Sequence, residues 1–389
     1  MITEATLYFA TPGDADGALL DVAGQPVAFR AIAAALRAGC RRVAVPGRFR
    51  GTAVERAIAA SPRARAATVW LDRADGPPDC ASLLVPAAAV MRPADLLRML
   101  HDEPASMLSP DGTQAPVIAA DAELARALWP DIEAERPLAP ALGSLLAGRG
   151  VRRVSGGWYV HVTSAGEARR AEQLLYRTLG SPIDTALDTA FHRRLSRPLT
   201  RLAIALGLTA NQVSLLSLLV GLLAVWGFWR ATPTSALVGL VLYAVSVVLD
   251  HSDGEVARLT LSESRLGEWL DVTSDTVIHA LLVLAMGVTA LGRAGLGLGV
   301  LAASGVIASA MVAKTSPRRA GASAVGGALD ALGNRDGFYA MLLIFLVILT
   351  AAPHLLPLLM ILVTAGAHAF WVTHLAHRIF VSARQASSA

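Results

Sequence analysis

Four aspartates, Asp250, Asp253, Asp271 and Asp275, lie at the ends of two apolar runs, 236–249 and 277–291. Asp250 and Asp253 are three residues apart and Asp271 and Asp275 are four apart, so each pair projects from one face of a helix. If the two helices are antiparallel neighbours joined by the short polar turn 260–264, the pairs face each other. Carboxylates at such close quarters repel unless cations hold them, and hard oxygen ligands favour Mg²⁺ or a similar divalent ion. A carboxylate-bridged metal pair can clamp a diphosphate and stabilise its leaving group. Gly254 and Gly267 would let a bulky ligand or the facing backbone come close, and Arg258 offers a donor fork for phosphate. The plainer reading makes these the acidic residues of a solvated loop. It does not explain carboxylates set against membrane-length apolar runs, where they are costly and usually functional.

The full spacing is D-x2-D-G-x2-A-R-x8-G-x3-D-x3-D, formed by Asp250, Asp253, Gly254, Ala257, Arg258, Gly267, Asp271 and Asp275. It resembles the signature of the CDP-alcohol phosphotransferases, integral membrane enzymes that move a phosphoalcohol from a CDP-linked donor to an acceptor hydroxyl and release CMP. All eight signature positions are present. The resemblance implies Asp250, Asp253 and Asp271 as ligands of two Mg²⁺ ions, with Mn²⁺ as an alternative. It implies Gly254, Ala257, Arg258 and Gly267 as the lining of the CDP site, and Asp275 as the general base on the acceptor. A base there is chemically sensible, since a carboxylate must take the proton as oxygen attacks phosphorus. A second metal could also use Asp275. A homodimer is implied by the resemblance alone.

The elements that must position these residues follow from the hydropathy. Apolar runs long enough to span a bilayer occur only after about residue 211, so the chain reads as a front part followed by a membrane part. Six spans fit: 211–229, 234–256, 265–291, 294–313, 336–352 and 355–380. Lys314, Arg318, Arg319 and Arg335 fall on one side with Arg258 and Arg265, while the opposite loops hold Arg230 and Arg293. The positive-inside rule then places the signature and both termini in the cytoplasm, in a multi-pass protein of the cytoplasmic membrane. Trp226, Trp229 and Trp371 near span ends read as interface anchors.

Between the two parts, 183–206 is an amphipathic stretch bearing Arg193, Arg194, Arg197 and Arg201. Such a helix lies among lipid headgroups with its arginines on phosphate. The sharper reading gives one or two of these arginines the phosphate of an anionic acceptor or donor. Asn334-Arg335-Asp336 resembles a recurring Arg-Asp of the fused members of the family, which adds Arg335 to the acceptor-phosphate candidates, with a helix-start cap as the alternative. His368, His374 and His377 have no carboxylate near them in sequence, which favours interfacial hydrogen bonding over metal binding. At Ala210 the family commonly has proline, so a slightly different helix start is expected.

The front part alternates short apolar runs with helical patterns. Expected strands are 5–10, 42–45, 67–71, 82–85, 116–119 and 158–162. Expected helices include 26–38, 52–60 and 93–100, and a last helix opening at Ser164 with Glu167 as a capping box. That alternation argues an α/β fold with a mostly parallel sheet. The order of elements, and the stretch LLDVAGQPVAFRAIAAALRAGCRRVAVPG, resembles a Rossmann-like cytidylyl or sugar-nucleotide transferase. Such enzymes need a glycine-rich, basic loop after the first strand. Here the loop is Thr11-Pro12-Gly13-Asp14-Ala15-Asp16, whose acidic residues would repel a triphosphate. The domain therefore reads as an inactive relative serving as scaffold, partner surface or regulator. Fusions of this kind occur in enzymes of inositol-phosphate lipid and inositol-phosphodiester synthesis, and the junction, SPIDTALDTAFHRRLSRPLTRLAIALGLTANQVSLLSLL, resembles theirs.

The expected fold is thus an α/β Rossmann-like (nucleotidyltransferase-like) domain over 1–180, an interfacial helix over 181–208, and an all-α polytopic membrane domain of six transmembrane helices over 209–389. The net charge of +4 is arginine-rich and concentrated beside the first span, which points to anionic lipid, and no nucleic-acid motif is present. Cys40 and Cys80 show no CxxC or Cys/His spacing, so buried reduced thiols are expected. The N-terminus lacks a basic start followed by an apolar core, so no cleavable signal is expected. The expected partners are membrane lipids, a CDP-linked lipid or polyol donor and a polar alcohol acceptor such as inositol phosphate. From a different class, the expectation would be a membrane binding protein with a vestigial site.

Overall fold

The structure, a computed structural model, describes residues 2–59, 61–72, 79–100, 105–107, 115–138, 140, 142, 152–154, 157–179, 191–315 and 335–387. The chain divides into two compact units, Met1–Leu179 with Leu259–Leu261, and Gly180–Arg258 with Ser262–Ala389.

The first unit contains strands β1 (Glu4–Tyr8), β2 (Asp21–Val22), β3 (Gln25–Pro26), β4 (Arg42–Pro46), β5 (Thr68–Leu71), β6 (Ser82–Pro86), β7 (Ala89–Met91), β8 (Ala105–Met107), β9 (Val117–Ala120), β10 (Arg152–Arg153) and β11 (Tyr159–His161). Seven of them form one sheet in the order β10-β8-β9-β6-β1-β4-β5. β1 pairs in parallel with β4 and β6, and β4 with β5. The sheet is mixed rather than parallel throughout, because β9 runs antiparallel to both β6 and β8. All five residues of β6 are buried, as expected for a central strand covered on both faces. Helix α1 (Val27–Ala38) lays ten buried residues on this core, among them Phe29 and Ile32. Helix α2 (Ala122–Glu133) seals the side lined by Tyr8, Leu84 and Ile118.

Each expected strand has a counterpart within a few residues. The short strands β7, β8 and β10 were not foreseen, and neither were β2 and β3. The pair β2 and β3 form a tight hairpin in which Ala23 and Gly24 both take positive φ, 50° and 80°, and Asp21 Oδ1 accepts from the Gly24 amide at 2.8 Å. Helix α3 (Ala165–Thr178) is capped by Ser164, whose hydroxyl accepts from the Glu167 amide, while Glu167 Oε2 accepts from the Thr163 amide at 2.8 Å and from the Ser164 hydroxyl at 3.1 Å. Cys40 is buried, and burial pushes its thiol up to about 11. Cys80 corrects the expectation for both thiols: it is exposed, with Sγ donating to Glu4 Oε2 at 3.3 Å.

The second unit is helical. It comprises α4 (Arg193–Ala205), α5 (Ala210–Trp229), α6 (Pro233–Thr260), α7 (Arg265–Leu291), α8 (Gly295–Thr315), α9 (Arg335–Ala351) and α10 (Leu356–Ser387). Thr209 opens α5 with a full capping box to Gln212, so the helix starts cleanly at Ala210 without proline. Among the described residues four stretches are long and apolar enough to cross a membrane: Ala210–Trp229, Pro233–Thr260, Arg265–Val312 and Pro353–Ala376. That is fewer than the six expected from hydropathy. Arg265–Val312 contains both α7 and α8, which are separated at Gly292 (φ 59°), and α9 has 17 residues. Leu219, Trp226, Leu358 and Leu362 are exposed, which is an unfavourable surface in water and a suitable one against lipid.

Small residues hold the helices close, as in membrane packing generally. On α5 and α6, Ser217 and Ser246 donate reciprocally to each other's carbonyl at 2.9 Å. Between α7 and α8, a Cβ added at Gly287 would stand 2.7 Å from the Gly299 Cα. At the far end of this bundle, His368 Nε2 donates to the Leu301 carbonyl and His374 Nδ1 to that of Phe370, in line with the hydrogen-bonding expectation. The His377 side chain, Asn334, Arg318, Arg319, residues 181–190 and the Lys314 side chain lie outside the described residues.

Candidate active site

The acidic signature spans the end of α6 and the start of α7. Leu261, at φ 60°, helps the chain reverse between them, and Ser264 caps α7 by accepting from the Gly267 amide at 3.0 Å. The antiparallel pairing brings three carboxylates together: Asp250, Asp253 and Asp271 each place an oxygen within 4.8 Å of the others. Asp253 is further held by Ser214 of α5, whose hydroxyl donates to Oδ2 at 2.5 Å. This all-oxygen, partly buried set fits a hard divalent cation such as Mg²⁺.

Asp275 stands apart from that trio. Its Oδ2 accepts from Arg335 Nη2 at 3.0 Å, and the same nitrogen donates to Asp250 Oδ2 at 2.7 Å. The Asp275 side chain is 31% exposed against 9% for Asp250, so it is the carboxylate more open to an incoming group. Arg335 was expected as an acceptor-phosphate residue or as part of a helix cap, and its side chain bridges Asp250 and Asp275.

The nucleotide-lining candidates are half-buried beside this cluster. A Cβ at Gly254 would lie 3.2 Å from the Arg258 guanidinium, and one at Gly267 would lie 3.2 Å from Asn211 Oδ1. A side chain at either place would crowd a polar group facing the same ground. Ala257 occupies the adjoining turn of α6 and is likewise half-buried.

The arginines of α4 separate in the structure. Arg193 is buried, and its Nη1 donates to Glu255 Oε1 at 2.9 Å, so it belongs to the packing between α4 and α6. Arg194 and Arg201 are exposed, whereas Arg197 is half-buried with an Nε that has no hydrogen-bond partner among the described residues. An aromatic floor beside the site was not foreseen. Tyr243 Oη and His279 Nε2 are 2.7 Å apart, Phe338 stacks near both, and His192 lies over Tyr339 and beside His251. Helical spacing could have hinted at it, since Tyr243 lies two turns before Asp250 and His279 one turn after Asp275.

Residues 207–380 match the family model of the CDP-alcohol phosphatidyltransferases. It is similar to the bifunctional IPC transferase and DIPP synthase of Archaeoglobus fulgidus, 29% identical over 136 residues, or 34% of this chain and 26% of that protein. The archaetidylinositol phosphate synthase of Pyrococcus horikoshii is 33% identical over 98 residues, or 24% of this chain and 50% of that protein. The CDP-diacylglycerol–serine O-phosphatidyltransferase of Mycobacterium leprae is 35% identical over 82 residues, or 21% and 26%. The matched stretches thus span between about a quarter and a half of these relatives' own lengths.

Proposed function

We propose that the chain transfers a phosphatidyl group from a CDP-alcohol, CDP-diacylglycerol first, to a polar alcohol such as inositol phosphate, releasing CMP. One observation carries this reading. The three-carboxylate cluster of Asp250, Asp253 and Asp271 lies beside Asp275, a carboxylate outside that group that shares the Arg335 Nη2 donor with Asp250. Two roles in one site require such a division.

Asp250, Asp253 and Asp271 would hold Mg²⁺, with Asp275 as a further ligand if a second ion binds. Mg²⁺ at this place supplies charge neutralisation for the diphosphate and its leaving group. The chain's own groups would do the rest. Gly254, Ala257, Arg258 and Gly267 seat the CDP portion, with Arg258 as its guanidinium donor. Asp275 takes the proton of the acceptor hydroxyl as that oxygen forms its bond to phosphorus, while the bond from phosphorus to the CMP oxygen breaks. Arg335 fixes the direction of the Asp275 carboxylate and balances part of the cluster's negative charge. Of the five arginine candidates for an acceptor phosphate, Arg335 and Arg197 have the setting for it.

The same reading places six helices across the cytoplasmic membrane, with α8, α9 and α10 completing the bundle and the signature and both termini on the cytoplasmic side. A homodimer, an interfacial role for α4, and a front domain that no longer transfers nucleotides belong to this reading too. Two features of the front loop bear on that last point: Asp16 is exposed, and Asp14 is buried and used to hold the loop. A soluble CDP-polyol donor giving an inositol phosphodiester is a second reading, favoured by the similarity to proteins named bifunctional IPC transferase and DIPP synthase. The test is CMP release by purified protein with Mg²⁺ and CDP-diacylglycerol across a panel of acceptors, beside Asp275→Asn. Acceptor-dependent CMP that disappears in the variant supports the reading. Turnover with a CDP-polyol alone selects the second, and no turnover with either favours a membrane binding protein.

A further inference from the structure

We propose that Glu255, at a position the signature leaves unspecified, is a positioning residue for the CDP-bearing donor. It fastens α4 to the turn of α6 that carries Asp253, Gly254 and Arg258. The inference rests on the CDP-linked donor of the reading above.

Glu255 is fully buried, and both of its oxygens are engaged. Oε1 accepts from Arg193 Nη1 and Ser196 Oγ, each at 2.9 Å, and Oε2 accepts from Thr200 Oγ1 at 2.7 Å. Residues 193, 196 and 200 share one face of α4, so a single carboxylate organises two turns of that helix. Ser252 adds a weaker tie, its hydroxyl reaching the Ser196 carbonyl at 3.3 Å. At about 100° per residue, Glu255 projects well away from the arc of Asp250, Asp253 and Gly254, so it adds nothing to the carboxylate cluster.

Burying a charge is costly unless it is paired and hydrogen-bonded, and apolar residues could hold two helices together at less expense. An apolar seat is in fact present, where Ala203, Val213 and Val256 are buried together. Apolar contacts tolerate sliding, whereas a carboxylate with three donors is satisfied in one register only. What the Glu255 node adds is therefore register. Glu255 directly follows Asp253 and Gly254 and precedes Arg258 by three residues, so the register it fixes is that of the donor's seat.

The test is titration of CDP, with Mg²⁺ present, into the detergent-solubilised full chain. It compares wild type with Glu255→Gln, Arg193→Ala, the double variant and Thr200→Val. The expected result is CDP affinity lowered about tenfold in Glu255→Gln, with the double variant no weaker than the worse single one, as residues of one network behave. Where Glu255→Gln does not fold, Thr200→Val keeps the shape of the side chain and is expected to weaken CDP by about threefold, a smaller loss because Arg193 and Ser196 still hold the carboxylate. Unchanged CDP affinity in the folded variants, whatever their thermal stability, overturns the proposal. Wild type that binds CDP without ever releasing CMP defeats the transferase reading and leaves this test standing. Wild type that does not bind CDP defeats both.

Discussion

Arg335 donates to Asp275 at 3.0 Å, and the same nitrogen reaches Asp250 at 2.7 Å. One guanidinium of α9 therefore joins the first and last aspartates of a signature that lies on α6 and α7. Lysine could not reproduce the whole set, because the second nitrogen of the guanidinium, Nη1, lies at the same time 3.1 Å from the His251 ring, and an ammonium has no second nitrogen to place there. Arg335→Ala and Arg335→Lys are both expected to lower kcat/KM for CMP release by about 100-fold. That corresponds to about 3 kcal/mol, in the range for breaking a partly buried, hydrogen-bonded charge pair. Steady-state kinetics checks this, and either variant within threefold of wild type would remove Arg335 from the site.

Because Asp275 lies outside the three-carboxylate group, its loss and the loss of a group member should differ. Asp253→Asn and Asp271→Asn are each expected to abolish the rise in Tm that Mg²⁺ gives the wild type, since a ligand that binds only the folded state stabilises it. Asp275→Asn is expected to keep most of that rise while losing turnover. Thermal unfolding with EDTA and with added Mg²⁺ checks both halves. Equal loss of the Mg²⁺ effect in all three variants would make Asp275 a ligand of the first ion.

How far the sequence disclosed this arrangement depended on the range of the interaction. Asp250 to Asp275 lie within two helices and one turn, so their spacing alone shows which carboxylates share a face. The Ser164 cap and the long apolar helices are equally local. Arg335 lies 60 residues beyond Asp275, and nothing in its neighbourhood reveals that it reaches back to Asp250. Arg193 looked like its neighbours Arg194, Arg197 and Arg201, and only the fold shows Glu255 opposite it. In the front unit the strand at 116–119 was legible but its antiparallel direction was not, because Val117–Ala120 suit a buried strand of either direction. The hairpin of β2 and β3 escaped because Ala23 takes a positive φ where asparagine or glycine is the usual signal.

The loop after β1 depends on Asp14 in a way that can be read through pH. Burial alone would raise its carboxyl, but bonds from His161 and Thr11 and from the Ala10 amide outweigh that and leave it lowered. A carboxylate held low in the folded state stabilises above its ordinary pKa of about 4, and that stability is lost as pH falls through the lowered value. Asp14→Asn should therefore reduce hydrogen-exchange protection of residues 10–17 at pH 6 by about 1–3 kcal/mol, the cost of an impaired buried hydrogen-bond set. The difference from wild type should shrink below about pH 4 as the native carboxylate protonates. A difference that stays constant down to pH 3 would show that charge plays no part in holding the loop.

The glycines of α7 and α8 give a contrast within one helix pair. A Cβ on Gly287 would meet the Gly299 Cα at 2.7 Å and one on Gly299 would meet the Leu284 carbonyl at 2.9 Å, whereas one on Gly297 would meet nothing within 4 Å. Backbone atoms cannot rotate aside as a flexible side chain can, so the two helices must separate to admit a methyl group. Gly287→Ala is therefore expected to destabilise the protein in detergent by about 1–3 kcal/mol, the usual cost of overpacking. Gly297→Ala should be neutral or slightly stabilising, since alanine is the better helix former by about 1 kcal/mol. Because α7 carries Asp271 and Asp275 at its other end, a shift of α7 against α8 should also lower turnover in Gly287→Ala and leave it intact in Gly297→Ala. Thermal unfolding and CMP release measured on the same preparations check the pair together. Equal behaviour of the two variants would mean that the close approach of α7 and α8 carries no weight in holding the site.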